Sequence, residues 1–508
     1  MNRLLAAAAL LLLVLALPAP VFAHATLVRS FPSYGQNLDN PPPFIEVEFN
    51  EAVSAAFTPL IVRDTRGARV DQGDAAVDPG NPNRVEANLK PLSPGLYTAV
   101  YRVTSLDGHP VEGTIAFTVG APAEAPAIDQ AVPPTVATPP AVSVVHGLLQ
   151  LVACLLAGLA AFVVFVSGNP AERRMTLALA AALTALVLTE ASLYAVRASG
   201  EPWSLPLLAR ALTATRVGNL QLARLGLGVL AGAVLALAPR LKWPGLLPGL
   251  GLLLTFSLQS HAAATGRWQP VAIDWLHLVA LAPWVGGVAG LALHPRAELV
   301  PRFSKLAITS VLLLAATGTY SALQHIPSWA GLLSTGYGRS LLWKLGLLVP
   351  VLGLAAYNRR SLARLTIRTE SFLIGGIFVA AGFLTSVPPA GVEMALRQGP
   401  FTETAVAEGF TVGLRITPNR LGYNQATVTL TNPDGQPEAG ASTGLRLTML
   451  EHEMGTQNVD ATAQAPGTYQ VRDIVLGMPG EWRVEVVALT RGGREIRHAF
   501  RVSVTAPP

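Results

Sequence analysis

Charge is scarce in this chain. Only 13% of its 508 residues are Asp, Glu, Lys or Arg, while 51% are apolar and the mean hydropathy is +0.44. A soluble domain carries about a quarter charged residues, so this composition excludes a wholly soluble protein and makes the lipid bilayer a partner. A single cysteine, Cys154, excludes disulfides within the chain. Methionine is also sparse: there are six, and none lies between residues 24 and 120, which excludes a thioether site for a soft metal in that stretch. The net charge of +5 gives no argument for nucleic acid, because the basic residues cluster in short loops between hydrophobic segments, where they set membrane topology. No Ser-His-Asp order, phosphate loop or carboxylate pair supports hydrolysis or ATP use. Transport by such a chain would be passive or coupled to a gradient, and no enzyme activity is expected.

What is present falls into successive blocks, and the fold expected is multidomain. Residues 1–23 read as a secretory signal: Arg3 supplies the positive end, Leu4 to Leu17 the apolar run, and Val21-Phe22-Ala23 the small residues of a cleavage site. Residues 24–120 alternate as an all-β sandwich. "FIEVEFN" (44–50) puts Ile45, Val47 and Phe49 on one face, and "LYTAVYRV" and "TIAFTV" continue the period of two. Residues 121–142, rich in Ala and Pro, form a semi-extended linker. Residues 143–390 hold eight apolar stretches long enough to span a bilayer, near 143–168, 174–197, 218–239, 243–264, 271–293, 304–324, 340–358 and 371–388. Residues 400–508 return to strand character, with "QATVTLTN", "LRLTML" and "EWRVEVVAL" separated by turns such as "NPDGQP", and read as a second all-β sandwich.

The loops between spans give an orientation. Loops one, three, five and seven hold Arg173, Arg174, Arg240, Lys242, Arg296, Arg302, Lys305, Arg359, Arg360, Arg364 and Arg368, whereas the others hold Arg210, Arg216, Arg267 and Arg339. Eleven against four places the odd loops in the cytoplasm. Both β domains then lie outside, which agrees with an exported N-terminus.

Cleavage after Ala23 would make His24 the new N-terminus. An N-terminal histidine offers its α-amine and its ring nitrogen as a chelating pair, a donor set suited to Cu(II). His109, in "TSLDGHPVEG", follows Asp107 by two, so the two side chains share a face in extended chain. Asp-Gly is also a common hairpin turn, and a histidine after it can be a plain loop residue. The motifs "HATLVRSFPSYGQNL", "VEFNEAV" and "GLYTAVYRVTSLDGHPVEGTIAFTV" resemble a CopC copper-binding domain along its full length. That resemblance implies an immunoglobulin-like β-sandwich holding one Cu(II) ion through His24, Asp107 and His109.

Ionisable residues within spans are functional candidates. His261 is expected about three residues, roughly 5 Å, inside the outer end of the fourth span, and His277 about six residues, roughly 9 Å, inside the fifth. A short loop would bring the two to similar depth. Asp274 precedes His277 by three, on the same helical face. Glu190, His146 and His325 fall in the outer half or at its rim, and for His146 and His325 the reading favoured is an interfacial or helix-bonding role. "SLQSHAAA", "DWLHLVALAPWVGG", "FSKLA" and "LLWKLGLLVPVLGLAAYNRRSL" resemble CopD, an eight-span copper-resistance membrane protein, most strongly in D-x-x-H-x-x-A-x-x-x-W-x-G-G. CopC and CopD fused in one chain imply copper capture outside a bacterial cytoplasmic membrane and delivery into it, with import the role commonly inferred and periplasmic copper chaperones as possible donors. His261, His277, Asp274 and Glu190 are the candidates for the membrane path.

In the last block, "LTMLEHEMG" presents Met449, His452 and Met454, with Met478 not far beyond. Thioethers beside an imidazole could hold Cu(I); core packing is the competing reading. The block is similar to a YtkA-like domain. Two further readings compete for the whole chain. His261 and His277 at matched depth could ligate a haem in an electron carrier or copper reductase. An N-terminal His with a second His could also form a copper oxidase site, against which the carboxylate of Asp107 counts.

Overall fold

The computed structural model describes residues 25–504 apart from 26, 33–35, 56, 121–137, 170–171, 238–242, 244–245, 265–266, 294, 327, 362, 397–398, 418, 420–421, 451–455 and 477–479. The chain divides into two compact units: Thr104–Pro110 groups with Ala137–Glu393, and the remaining strands make up the other.

The N-terminal strands are β1 (Leu27–Phe31), β2 (Asn37–Leu38), β3 (Phe44–Phe49), β4 (Leu60–Asp64), β5 (Ala76–Asp78), β6 (Asn81–Asn88), β7 (Gly95–Thr104) and β8 (Pro110–Val119). They make two four-stranded sheets, ordered β1-β3-β6-β5 and β2-β8-β7-β4. The expected alternation holds: Ile45, Val47 and Phe49 are buried, as are Tyr97, Ala99, Tyr101 and Val103 of β7. Phe49 meets Tyr101 edge-on at 5.5 Å, and Tyr97 stacks on Phe117 at 5.6 Å. The outward side of β3 carries Glu46 and Glu48, which pair with Arg29 and Arg84. A buried carboxylate, Asp71, accepts from the backbone N–H of Val62 at 2.9 Å and of Gly73 at 3.0 Å, and from Arg69 Nε at 2.7 Å.

The second sandwich pairs β14 (Thr462–Ala465), β15 (Thr468–Leu476), β11 (Gly422–Thr431), β10 (Phe410–Thr417) and β9 (Phe401–Ala407) in one sheet. The other holds β13 (Thr456–Asp460), β12 (Ser442–Met449), β16 (Gly480–Leu489) and β17 (Glu495–Val504). Its core gathers Val412, Leu414, Val428, Leu447, Val484 and Phe500. Tyr469 pins the turn before β12, donating to the Glu438 carbonyl at 2.8 Å and accepting from Ala441 N–H at 2.9 Å.

The helical block comprises α1 (Pro140–Phe162, continued by a π-helical turn to Ser167), α2 (Arg173–Ser199), α3 (Leu205–Ala214), α4 (Arg216–Leu237), α5 (Leu246–Ser257), α6 (His261–Ala264), α7 (Trp268–Leu293), α8 (Val300–His325), α9 (Trp329–Ser334), α10 (Gly336–Asn358), α11 (Arg364–Ser386) and α12 (Ala390–Leu396). Among the described residues seven helices are long and apolar enough to cross a membrane. The fourth of the eight expected spans is the exception. It is split into α5, 12 residues long and so about 18 Å, a turn at 258–260, and the four-residue α6. Ser257, Gln259 and Ser260 interrupt the apolar run there. Lipid-facing backbone cannot leave a helix unsatisfied, so such a break belongs where protein surrounds it.

The central helix α1 packs against α2, α5, α7 and α11. It approaches α7 through Gly158 and Gly286, where a side chain on Gly158 would collide with the Ala282 carbonyl and one on Gly286 with Gly158 itself. Small residues let helix backbones meet in this way in a bilayer, where burial from water does not drive association.

Candidate metal centre

The loop Thr104–Pro110 is a tight turn closed on itself. Gly108 N–H donates to the Ser105 carbonyl and Ser105 N–H to the His109 carbonyl, both at 3.0 Å. Gly108 has φ +89°, and a side chain there would press on Gln259 and Val217 at 3.1 Å, so both its conformation and its surroundings call for glycine. Arg216 ties the loop to the break after α5: its guanidinium donates to the Leu106 carbonyl and, at 2.8 Å, to the Leu258 carbonyl. Thr104 hydroxyl lies 3.3 Å from the Tyr194 hydroxyl.

This seating puts Asp107, 2% exposed, at the centre of a polar cluster. Its Oδ2 is 3.3 Å from His109 Nδ1 and 3.1 Å from His261 Nδ1, while Oδ1 is held by the Ser105 hydroxyl. The His109 and His261 rings are 5.6 Å apart. One ligand atom from each of Asp107, His109 and His261 lies within 4.8 Å of the others, close enough for these groups to gather around one metal ion; the site holds two imidazoles and a carboxylate. That donor set suits a nitrogen-preferring divalent or monovalent transition metal, copper included.

The other sequence-based candidates fall elsewhere. His24 lies outside the described residues. His277 is not part of the cluster; its Nδ1 meets the Thr317 hydroxyl at 2.8 Å, and that hydroxyl donates to the Leu313 carbonyl at 2.7 Å, so the ring donates to Thr317. Asp274 lies near Lys344 and His261 and is not part of the cluster. Glu190 uses both oxygens on neighbouring helices, with His146 Nδ1 at 2.5 Å on one and Gln221 Nε2 at 2.6 Å and Arg224 at 3.3 Å on the other. Met449 is buried in the core of the second sandwich, and His452, Met454 and Met478 lie outside the described residues.

Two features escaped the sequence reading. One is the partnership of His261 with Asp107 across 154 positions, which no local pattern can carry. The other is His325, whose ring centroid lies 6.1 Å from that of His261 and which stacks on Tyr337 at 5.5 Å and 25°. Its position in the outer rim was the available signal, and it did not single out a ligand.

A β-sandwich presenting Asp-x-His and a helical membrane block presenting histidine define a metal-handling membrane protein. Three family models match the chain in series: the CopC domain at residues 27–120, copper resistance protein D at 297–384, and the YtkA-like family at 404–487. The chain thus carries CopC, CopD and YtkA-like domains in that order, as the motifs implied. It is 28% identical to the copper transport protein CutJ of Bacillus subtilis, over 97% of this chain and 98% of that protein. It is also 28% identical to the protein YobA of Escherichia coli K12, over 22% of this chain and 91% of that one. Among solved structures, CopC from Methylosinus trichosporium OB3b is 31% identical over 19% of this chain and 93% of its own, with a TM-score of 0.18. PcoC, a methionine-rich copper resistance protein from Escherichia coli, is 29% identical over 19% of this chain and 99% of its own, with a TM-score of 0.17.

Proposed function

We propose that this chain moves copper into or across a membrane, and that Asp107, His109 and His261 form the station at which the ion passes from the β-sandwich loop to the helices. The observation that carries this reading is the gathering of one ligand atom from each of those residues within 4.8 Å. The order of CopC and CopD models and the full-length likeness to a copper transport protein support copper as the cargo. His24, with its amine exposed by cleavage, would complete a nitrogen-rich set that favours Cu(II). Asp107 then supplies the oxygen ligand and offsets the charge of the ion. Capture would take place on the extracytoplasmic side, in keeping with the distribution of Arg and Lys in the loops.

The ladder of ligands explains how a weakly polar helical block accepts a cation. An ion leaving water must find replacement donors before it gives up the ones it has. His261 contributes to the outer ligand set while belonging to the helical unit, so transfer needs the exchange of single ligands and no passage of a bare ion. The haem reading required His261 to face His277; His261 instead faces Asp107 and His109. No observation favours it or the oxidase reading over transport.

Copper accumulation in intact cells tests the proposal. Cells making the full chain are expected to gain copper over controls, and Asp107→Ala or His261→Ala at matched membrane abundance is expected to remove most of the gain. Unchanged or lowered cell copper with the unaltered chain would overturn import.

A further inference from the structure

We propose that His325, with His261, forms a second ligand pair that takes the metal from Asp107 and His109. The proposal rests on the copper reading for the identity of the ion, and on separate geometry for the pair. His325 is the last residue of α8, a different element from any that supplies the outer set. Its Nδ1 is 2.7 Å from the Ser321 carbonyl oxygen. A carbonyl only accepts, so Nδ1 carries the hydrogen and Nε2 of the neutral ring presents a lone pair. That Nε2 is buried and has no hydrogen-bond partner among the described residues. A buried acceptor without a donor is costly to keep, and buried polar groups of this kind call for a functional explanation. A cation is the partner that such a nitrogen fits.

The three imidazoles lie in sequence. His109 and His261 are 5.6 Å apart and His261 and His325 6.1 Å, with nearly the same tilt of 54° and 52°. Tyr337 closes the far side by stacking on His325, and Ser321 fixes its ring orientation, as groups behind a ligating histidine commonly do. The end of α8 adds its negative pole, which favours a positive charge. The step is ligand exchange alone: the bonds from the metal to Asp107 and His109 break, a bond to His325 Nε2 forms, and that to His261 is kept. The oxidation state does not change, and the proton on His325 Nδ1 stays on its bond to the Ser321 carbonyl.

Two measurements on the full chain in lipid nanodiscs and in cells test the pair. His325→Gln is expected to hold cupric ion at the outer site within about twofold of the unaltered chain, yet to lower copper accumulation at least tenfold at matched abundance. Accumulation within twofold of the unaltered chain overturns the proposal. The second measurement leaves His325 in place: a chain carrying His24→Ala, Asp107→Ala and His109→Ala is loaded with one equivalent of copper, and X-ray absorption counts its imidazole ligands. Two are expected; none or one overturns the pair even if His325→Gln fails to accumulate in the membrane. If the unaltered chain does not raise cell copper, the transport reading fails while the ligand count still decides the pair.

Discussion

Asp107 shows how much a single carboxylate is asked to do. One oxygen serves both His109 and His261, and Ser105 holds the other. Replacing Ser105 with alanine frees that oxygen without removing any metal ligand. Loss of such an orienting group typically costs about 10- to 100-fold in metal affinity, and a cupric-ion titration of Ser105→Ala in the full chain is expected to fall in that range. Asp71 plays a purely structural part in the same sandwich. Burial pushes its pKa up, but the hydrogen bond from Arg69, those from Val62 and Gly73, and the charge of Arg69 more than offset this, and the net value lies below the ordinary 3.8. A lowered folded-state value means that the stabilisation is complete above the ordinary value and is lost as pH falls through the lowered one. Asp71→Asn is accordingly expected to loosen β4 by about 1–3 kcal/mol at neutral pH, and the difference should shrink in strong acid; hydrogen exchange at Val62 reads both. Residue chemistry was the most legible layer of the sequence. Asp107 and His109 stood out because they are two apart beside a turn glycine, whereas His261 and His325 gain meaning only when distant elements converge on them.

At the scale of elements, a buried polar network ties four helices together. Arg224, 0% exposed, reaches Glu190 on α2 at 3.3 Å, the Thr255 hydroxyl and carbonyl of α5 at 3.1 Å each, and the face of Phe256 at 4.1 Å, while His146 of α1 holds the other Glu190 oxygen. Gln221 and Arg224 are three apart on α4 and so share the face that meets α2. Removing one partner of a buried pair leaves an uncompensated charge and costs about 3–5 kcal/mol. Arg224→Leu is expected to lower the thermal midpoint of the full chain in detergent, and adding Glu190→Gln is expected to recover part of the loss. A double variant less stable than Arg224→Leu would show that Glu190 is held mainly by His146 and Gln221. The long apolar helices were readable from hydropathy because length alone identifies them. The break after α5 was not, since a window of nineteen residues averages over three polar ones; yet that break is what places His261 beside the loop.

For the whole molecule, the order of sandwich, helical block and sandwich follows from composition, and the three matched families occur in that order. The orientation argued from eleven and four basic residues has a direct check, because Cys154 is the chain's one cysteine and is buried. In a Cys154→Ala background, a cysteine at Asp434 should react with a membrane-impermeant maleimide in intact cells, and one at Arg360 only after permeabilisation; the reverse pattern would invert the topology. The central claim is that a loop between two strands and a histidine among the helices form one metal site. A double-mutant cycle on copper affinity, measured in the full chain with His109→Ala, His261→Ala and both together, addresses it most directly. A shared site predicts that each single change weakens binding by about tenfold or more and that the double change costs much less than the product of the two. Independent, multiplicative losses, or full affinity in His261→Ala, would contradict it.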